Sequence, residues 1–161
     1  MDFQQRLNKA IERGERLSDA WAEAEAKRAL DEKEMARLHS QYRLRLSERI
    51  EGCLRQLADR FPGFRFETLV GEVGWGAAVS RDDVRIRRSR GRATLFSRLE
   101  MAIRPANSYH VLDLAAKATI HNREIFNRSH FERLSEVDLK SFEELIDLWV
   151  LEYAELYAAK S

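Results

Sequence analysis

The sequence predicts an α+β fold: a long N-terminal helix, a four- to five-stranded, mainly antiparallel meander, and a C-terminal helix packed on the sheet. Three observations carry this. Asp19 to Arg60 holds one Gly (Gly52) and no Pro, and is rich in Ala, Leu, Glu, Lys and Arg, the strong helix formers. Between Phe64 and His121 apolar and polar residues alternate, the period of strands. From Leu139 to Tyr157 the apolar residues return at helical spacings of three and four.

The N-terminal helix is the dominant element. Phe3, Leu7, Ala10, Ile11 and Leu17 already have helical spacing. Gly14 interrupts that face at a cost of about 1 kcal/mol relative to Ala, and Ser18 is a suitable N-cap, so a break near 14–18 is open. Trp21, Ala22, Ala24, Ala26, Ala29 and Leu30 form a thin, alanine-rich face. Residues 31–34 are wholly charged, which leaves a second break open there. From Met35 the apolar side chains grow: Leu38, Tyr42, Leu46, Ile50, Cys53, Leu54, Leu57 and Phe61 demand a partner. The 42 residues from Asp19 to Arg60 would span about 63 Å, whereas a domain of this size is roughly 30–40 Å across. Either the helix folds back near 31–34 or its first part projects and pairs with another chain.

Pro62-Gly63 ends the helix, and the period changes to two. Phe64 to Val70 reads as a first strand, and Gly71, Gly74 and Gly76 frame Trp75 in a turn. Ala78 to Arg88 reads as a second strand and Ser89-Arg90-Gly91 as a hairpin turn. In Thr94 to Arg104 the odd residues Leu95, Ser97, Leu99, Met101 and Ile103 share one face. In Tyr109 to His121 the even residues Leu112, Leu114, Ala116, Ala118 and Ile120 do. Directly paired residues share a face, so partners in these two strands must have an odd sum; Ile103 opposite His110 or Leu112 meets that rule. Glu124 to Asn127 reads as a short last strand after a turn at Asn122-Arg123, and Ser135 to Asp138 as the start of the C-terminal helix.

With 161 residues, no repeat and no low-complexity linker, the chain reads as a single domain. Within it, 1–34 is expected to be a projecting or oligomerising helical extension and 35–161 the α+β core. Net charge is +1, which does not mark a polyanion binder by composition. The charge is unevenly placed: residues 62–105 carry nine Lys/Arg against five Asp/Glu, and 135–161 carry two against seven. Cys53 is the only cysteine, so an intrachain disulfide and a Cys-based zinc site are excluded; its helix-face position suggests an inert, buried thiol. The N-terminus lacks a secretory h-region, and no run approaches a membrane span. The expectation is a cytoplasmic protein without membrane contact, cofactor or metal.

No catalytic or cofactor motif is present, and the reading leans away from an enzyme. The first expectation is a non-enzymatic interaction and assembly module. It self-associates, as a dimer, through the long helix, with Leu17, Trp21, Ala24 and Met35 as contact residues; an unidentified protein partner is the other occupant considered. The second is a phosphate-backbone or RNA-binding protein using the Arg-rich hairpin 81–98, with Arg85, Arg87, Arg88, Arg90 and Arg92 as ligands. Asp82 and Asp83 inside that run, and the acidic C-terminal helix, argue for internal pairing instead. The third is a small-ligand pocket or enzyme between sheet and C-terminal helix. There Asp113, Lys117 and His121 alternate on one strand opposite Arg98 and Glu100, with His121 as acid or base; against it stands an ordinary solvent face with cross-strand ion pairs. His39, His110 and His130 show no metal-ligand spacing.

Overall fold

Asp2 opens the first element by accepting the Gln5 backbone N–H on Oδ1 at 2.8 Å, an N-cap. The computed structural model describes residues 2–87 and 91–160. Helix α1 runs Phe3–Arg60 without interruption. Both breaks the sequence left open, near 14–18 and 31–34, are absent. Gly14 alone is too weak to stop a run of good helix formers. The charged patch is supported locally, because Arg37 Nε donates to Glu34 Oε2 at 3.0 Å one turn away.

The chain divides into two units, Met1–Arg37 and Leu38–Ser161. Among the described residues of the first, helix is the only element, and every residue from Asp2 to Glu34 is exposed. The second contains the rest of α1, the strands β1 (Arg65–Leu69), β2 (Trp75–Arg87), β3 (Gly91–Ile103), β4 (Val111–Ile120) and β5 (Arg123–Arg133), and helix α2 (Leu139–Lys160). The strands form one antiparallel sheet in the order β1-β2-β3-β4-β5.

The apolar face of that sheet is the one the alternation marked: Leu99, Met101 and Ile103 of β3 and Leu112, Leu114, Ala116, Ala118 and Ile120 of β4 are buried. Leu46, Ile50, Leu54 and Leu57 of α1 and Phe142, Ile146, Trp149, Tyr153 and Tyr157 of α2 complete the core. Tyr153 fixes α2 on the sheet by donating its hydroxyl to the Thr119 carbonyl at 2.9 Å. The α1 side is held by Arg43 over the Trp75 ring and Arg55 over the Phe66 ring, at 4.1 and 4.2 Å from the centroids. Between the helices, Arg49 Nε donates to Asp147 Oδ1 at 3.0 Å.

Four details depart from the sequence reading. Trp75 and Gly76 belong to β2, and the turn is Gly71 to Gly74, closed by Gly74 N–H to the Gly71 carbonyl at 3.1 Å. Gly74 has φ +120°, and a Cβ there would lie 2.3 Å from the Ile103 carbonyl oxygen, so this glycine is required. Ile103 pairs with Leu114, not His110 or Leu112; the odd-sum rule holds, but the loop before β4 is longer than the alternation suggested. Strand β5 extends to Arg133 instead of stopping at Asn127. Helix α2 begins at Leu139 after a 3₁₀ turn at Leu134–Glu136, with Asp138 as its cap: Asp138 Oδ1 accepts the Lys140 N–H at 3.1 Å. The hairpin turn assigned to Ser89 and Arg90 lies outside the described residues.

Candidate functional site

The residues proposed as a pocket between sheet and α2 are not gathered there. Arg98, Glu100, Asp113 and Lys117 alternate with the buried residues of β3 and β4, so they occupy the sheet face opposite α2. Arg98 Nη1 donates to Glu67 at 2.7 Å, and Arg104 Nη1 to Asp113 Oδ2 at 3.1 Å. Arg98 also lies 3.4 Å from Glu100. This is a sheet surface laced by cross-strand ion pairs. A depression of about 240 Å³ sits on it, lined among others by Glu100, Arg104, Lys117 and Asn127 over Ala102 and Ala115.

His121 belongs to the other face. Strand β4 ends at Ile120, and His121 and Asn122 both have positive φ (49° and 69°), a two-residue hairpin turn. The turn is pinned to β3. Asn122 Oδ1 accepts the Phe96 N–H at 2.9 Å, Asn122 Nδ2 donates to the Thr94 carbonyl at 2.9 Å, and Ser97 Oγ accepts the His121 N–H at 3.0 Å. The His121 ring thereby reaches the helix side, 5.9 Å from Tyr157, with Nε2 3.7 Å from Asp83 Oδ2. Asp83 also accepts Arg81 Nε at 2.7 Å and the Tyr157 hydroxyl at 3.1 Å. Burial, then the neighbouring Asp83 carboxylate, pushes the Tyr157 hydroxyl upward from its ordinary pKa.

Beside this cluster lies a pocket of about 450 Å³ lined by Arg85, Leu95, Ile120, His121, Asn122, Arg123 and Lys160. Its walls come from the β2–β3 hairpin, the β4–β5 turn and the last residue of α2. Of the five arginines expected to bind phosphate, Arg85 lines this pocket and Arg92 is exposed away from it. The Arg87 side chain, Arg88 and Arg90 lie outside the described residues. Arg123 and Lys160 were missed by sequence reasoning, because nothing local links them to residue 85.

A larger groove of about 720 Å³ runs between the second part of α1 and α2, lined by Arg49, Cys53, Leu57, Phe61, Asp147 and Leu151 among others. The Cys53 thiol is disfavoured from ionising there. Burial, and the hydrogen bond from Sγ to Asp147 Oδ1 at 3.4 Å, push its thiol up to about 11. On β5, Glu132 is held below the usual carboxylate range: burial raises it, but the Asp138 N–H, His130 and the Ser141 hydroxyl outweigh that. These contacts seat α2 on the sheet.

The expected contact residues of α1 are placed differently. Leu17 and Trp21 are 53% and 67% exposed, Ala24 is exposed, and Met35 is half-buried. Phe3, Leu7, Ile11 and Leu30 are exposed as well. Among the described residues no group of three His, Cys, Asp or Glu side chains converges as a metal site, and no helix is long and apolar enough to cross a membrane. Comparison with protein-family models, with curated proteins and with solved structures finds no match to this chain.

Proposed function

We propose that the chain is a non-enzymatic assembly module whose N-terminal helical segment pairs with the same segment of a second copy. The observation that carries this is the uncovered apolar stripe of residues 3–24. Phe3, Leu7, Ala10, Leu17, Trp21 and Ala24 recur at alternating spacings of four and three, with Gly14 completing the row, and all are exposed. That is the seam spacing of paired helices. The segment's charge suits a copy of itself: residues 2–37 carry eight Lys/Arg and nine Asp/Glu, so two copies meet without net repulsion.

The flanking charges favour a parallel arrangement. Arg6, Arg13, Lys27 and Glu34 fall on one side of the seam, and Glu25 and Glu32 on the other. Parallel pairing sets Lys27 beside Glu32 of the second copy, whereas antiparallel pairing sets the side with Glu25 and Glu32 against itself. Arg28 and Asp31, next on the seam, are polar positions of the kind that fix register at some cost in stability.

Cysteine cross-linking tests this. Under mild oxidation Ala24→Cys, on the seam, is expected to give a disulfide-linked dimer, and Ala26→Cys, on the far side of the helix, is not. Equal yields from the two variants, or none from either, contradict the proposal.

A further inference from the structure

We infer that the pocket at the β4–β5 turn is a binding site for a phosphate group. It is separate from the helix stripe and independent of the assembly reading. Three full positive charges, Arg85, Arg123 and Lys160, line one cavity, and none has an ion-pair or hydrogen-bond partner among the described residues. Several other arginines on this protein do have carboxylate partners: Arg49 with Asp147, Arg98 with Glu67, Arg104 with Asp113, Arg128 with Glu152. Convergence of unpaired cations from three elements distant in sequence is what a bound anion would compensate.

The negative groups nearby do not cancel them. Asp83 is satisfied by Arg81 at 2.7 Å and by the Tyr157 hydroxyl. The C-terminus of α2 adds a partial negative charge of about half an elementary unit. Among the described residues no carboxylate lines the pocket.

The chemistry favours phosphate over a carboxylate. Two guanidinium groups offer planar donor forks that match phosphate oxygens bidentately, and the Lys160 ammonium adds a point charge. The volume of about 450 Å³ suits a small ligand. Leu95 and Ile120 supply an apolar floor. The phosphate can come from a free polyphosphate or nucleotide, or from a nucleic-acid backbone passing over the hairpin; both present the same oxygens.

Calorimetric titration of the full chain with inorganic tripolyphosphate, in low and in high salt, tests this. Saturable one-to-one binding is expected. Arg123→Ala, at the exposed first position of β5, should weaken it about tenfold or more, and Lys160→Ala should do likewise. Arg92→Ala removes a charge from the opposite face of the same hairpin and should leave affinity within about twofold. No binding in low salt, or equal weakening by Arg92→Ala and Arg123→Ala, overturns the site, since the latter is diffuse electrostatics. Competition then separates the sources. A single-stranded oligonucleotide that displaces tripolyphosphate with steep salt dependence identifies a backbone; failure to displace it, with binding retained, identifies a free phosphate compound.

Discussion

Residues 3–34 and 38–60 belong to one helix and share its periodicity, yet they meet opposite fates. Leu17 is 53% exposed, whereas Leu54 is fully buried. The second segment carries Leu46, Ile50, Leu54 and Leu57 against the sheet and α2. The first mixes a few large side chains with alanines at 10, 20, 22, 24, 26 and 29, and none of them is covered. Periodicity reports that a face exists; it does not report what covers it. The first segment must draw its helicity from intrinsic propensity and local pairs such as Glu34–Arg37, or from a partner.

The sharpest way to break this contrast is the same substitution in each segment. Leu54→Ala should lose about 2–5 kcal/mol of unfolding free energy by opening a core cavity. Leu17→Ala should stay within about 0.5 kcal/mol when measured in dilute solution. Urea denaturation of both variants decides it, and comparable losses would mean that residue 17 is packed.

A smaller effect is expected where α2 meets the sheet. Tyr153→Phe removes the hydrogen bond to the Thr119 carbonyl and should cost about 1 kcal/mol, read from the same denaturation curves. Its pair in the first segment is Gly14→Ala. Nothing lies within 4 Å of a Cβ there and no positive φ is recorded, so the change should stabilise the helix by about 0.5–1 kcal/mol. Circular dichroism would show it as raised helicity and a later melt.

The smallest expected effect is in pH. His39 is buried and donates Nε2–H to the Arg104 carbonyl at 3.1 Å; burial holds its pKa below the usual 6.5. The unfolded chain therefore takes up the proton first, and stability is full above pH 6.5 and declines as pH falls through it. Glu132, Asp147 and Glu152 are likewise lowered in the folded state, so their contribution is lost only at more acidic pH, below the ordinary carboxylate values. Urea midpoints across pH should fall in two stages, and His39→Gln should flatten the first; an unchanged first stage removes His39 as its source.

Much of the fold was legible from alternation. The core faces of β3 and β4 and the parity of their register follow from side-chain period alone. Strand β5 was cut short because its helix-facing residues Arg128, His130 and Glu132 are polar. They face α2 to pair with Glu152, pack on Phe142 and accept Asp138 and Ser141, so no apolar alternation marks them. His121 was assigned to the wrong face because the alternation was extended one residue past β4. Two positive-φ residues reverse the chain there and send the ring toward Tyr157. The pocket at the β4–β5 turn was invisible for a related reason: Arg85, Arg123 and Lys160 come together only once the meander and α2 are in place.

The central claim is that the stripe on residues 3–24 is covered by a second copy of the chain. Light scattering across a concentration series measures this most directly. The mass is expected to rise from 18.8 kDa toward twice that value, and Leu17→Glu with Trp21→Glu should hold it at the monomer mass while the thermal melt of the sheet unit stays unchanged. A wild-type chain that remains monomeric at its highest soluble concentration contradicts the account.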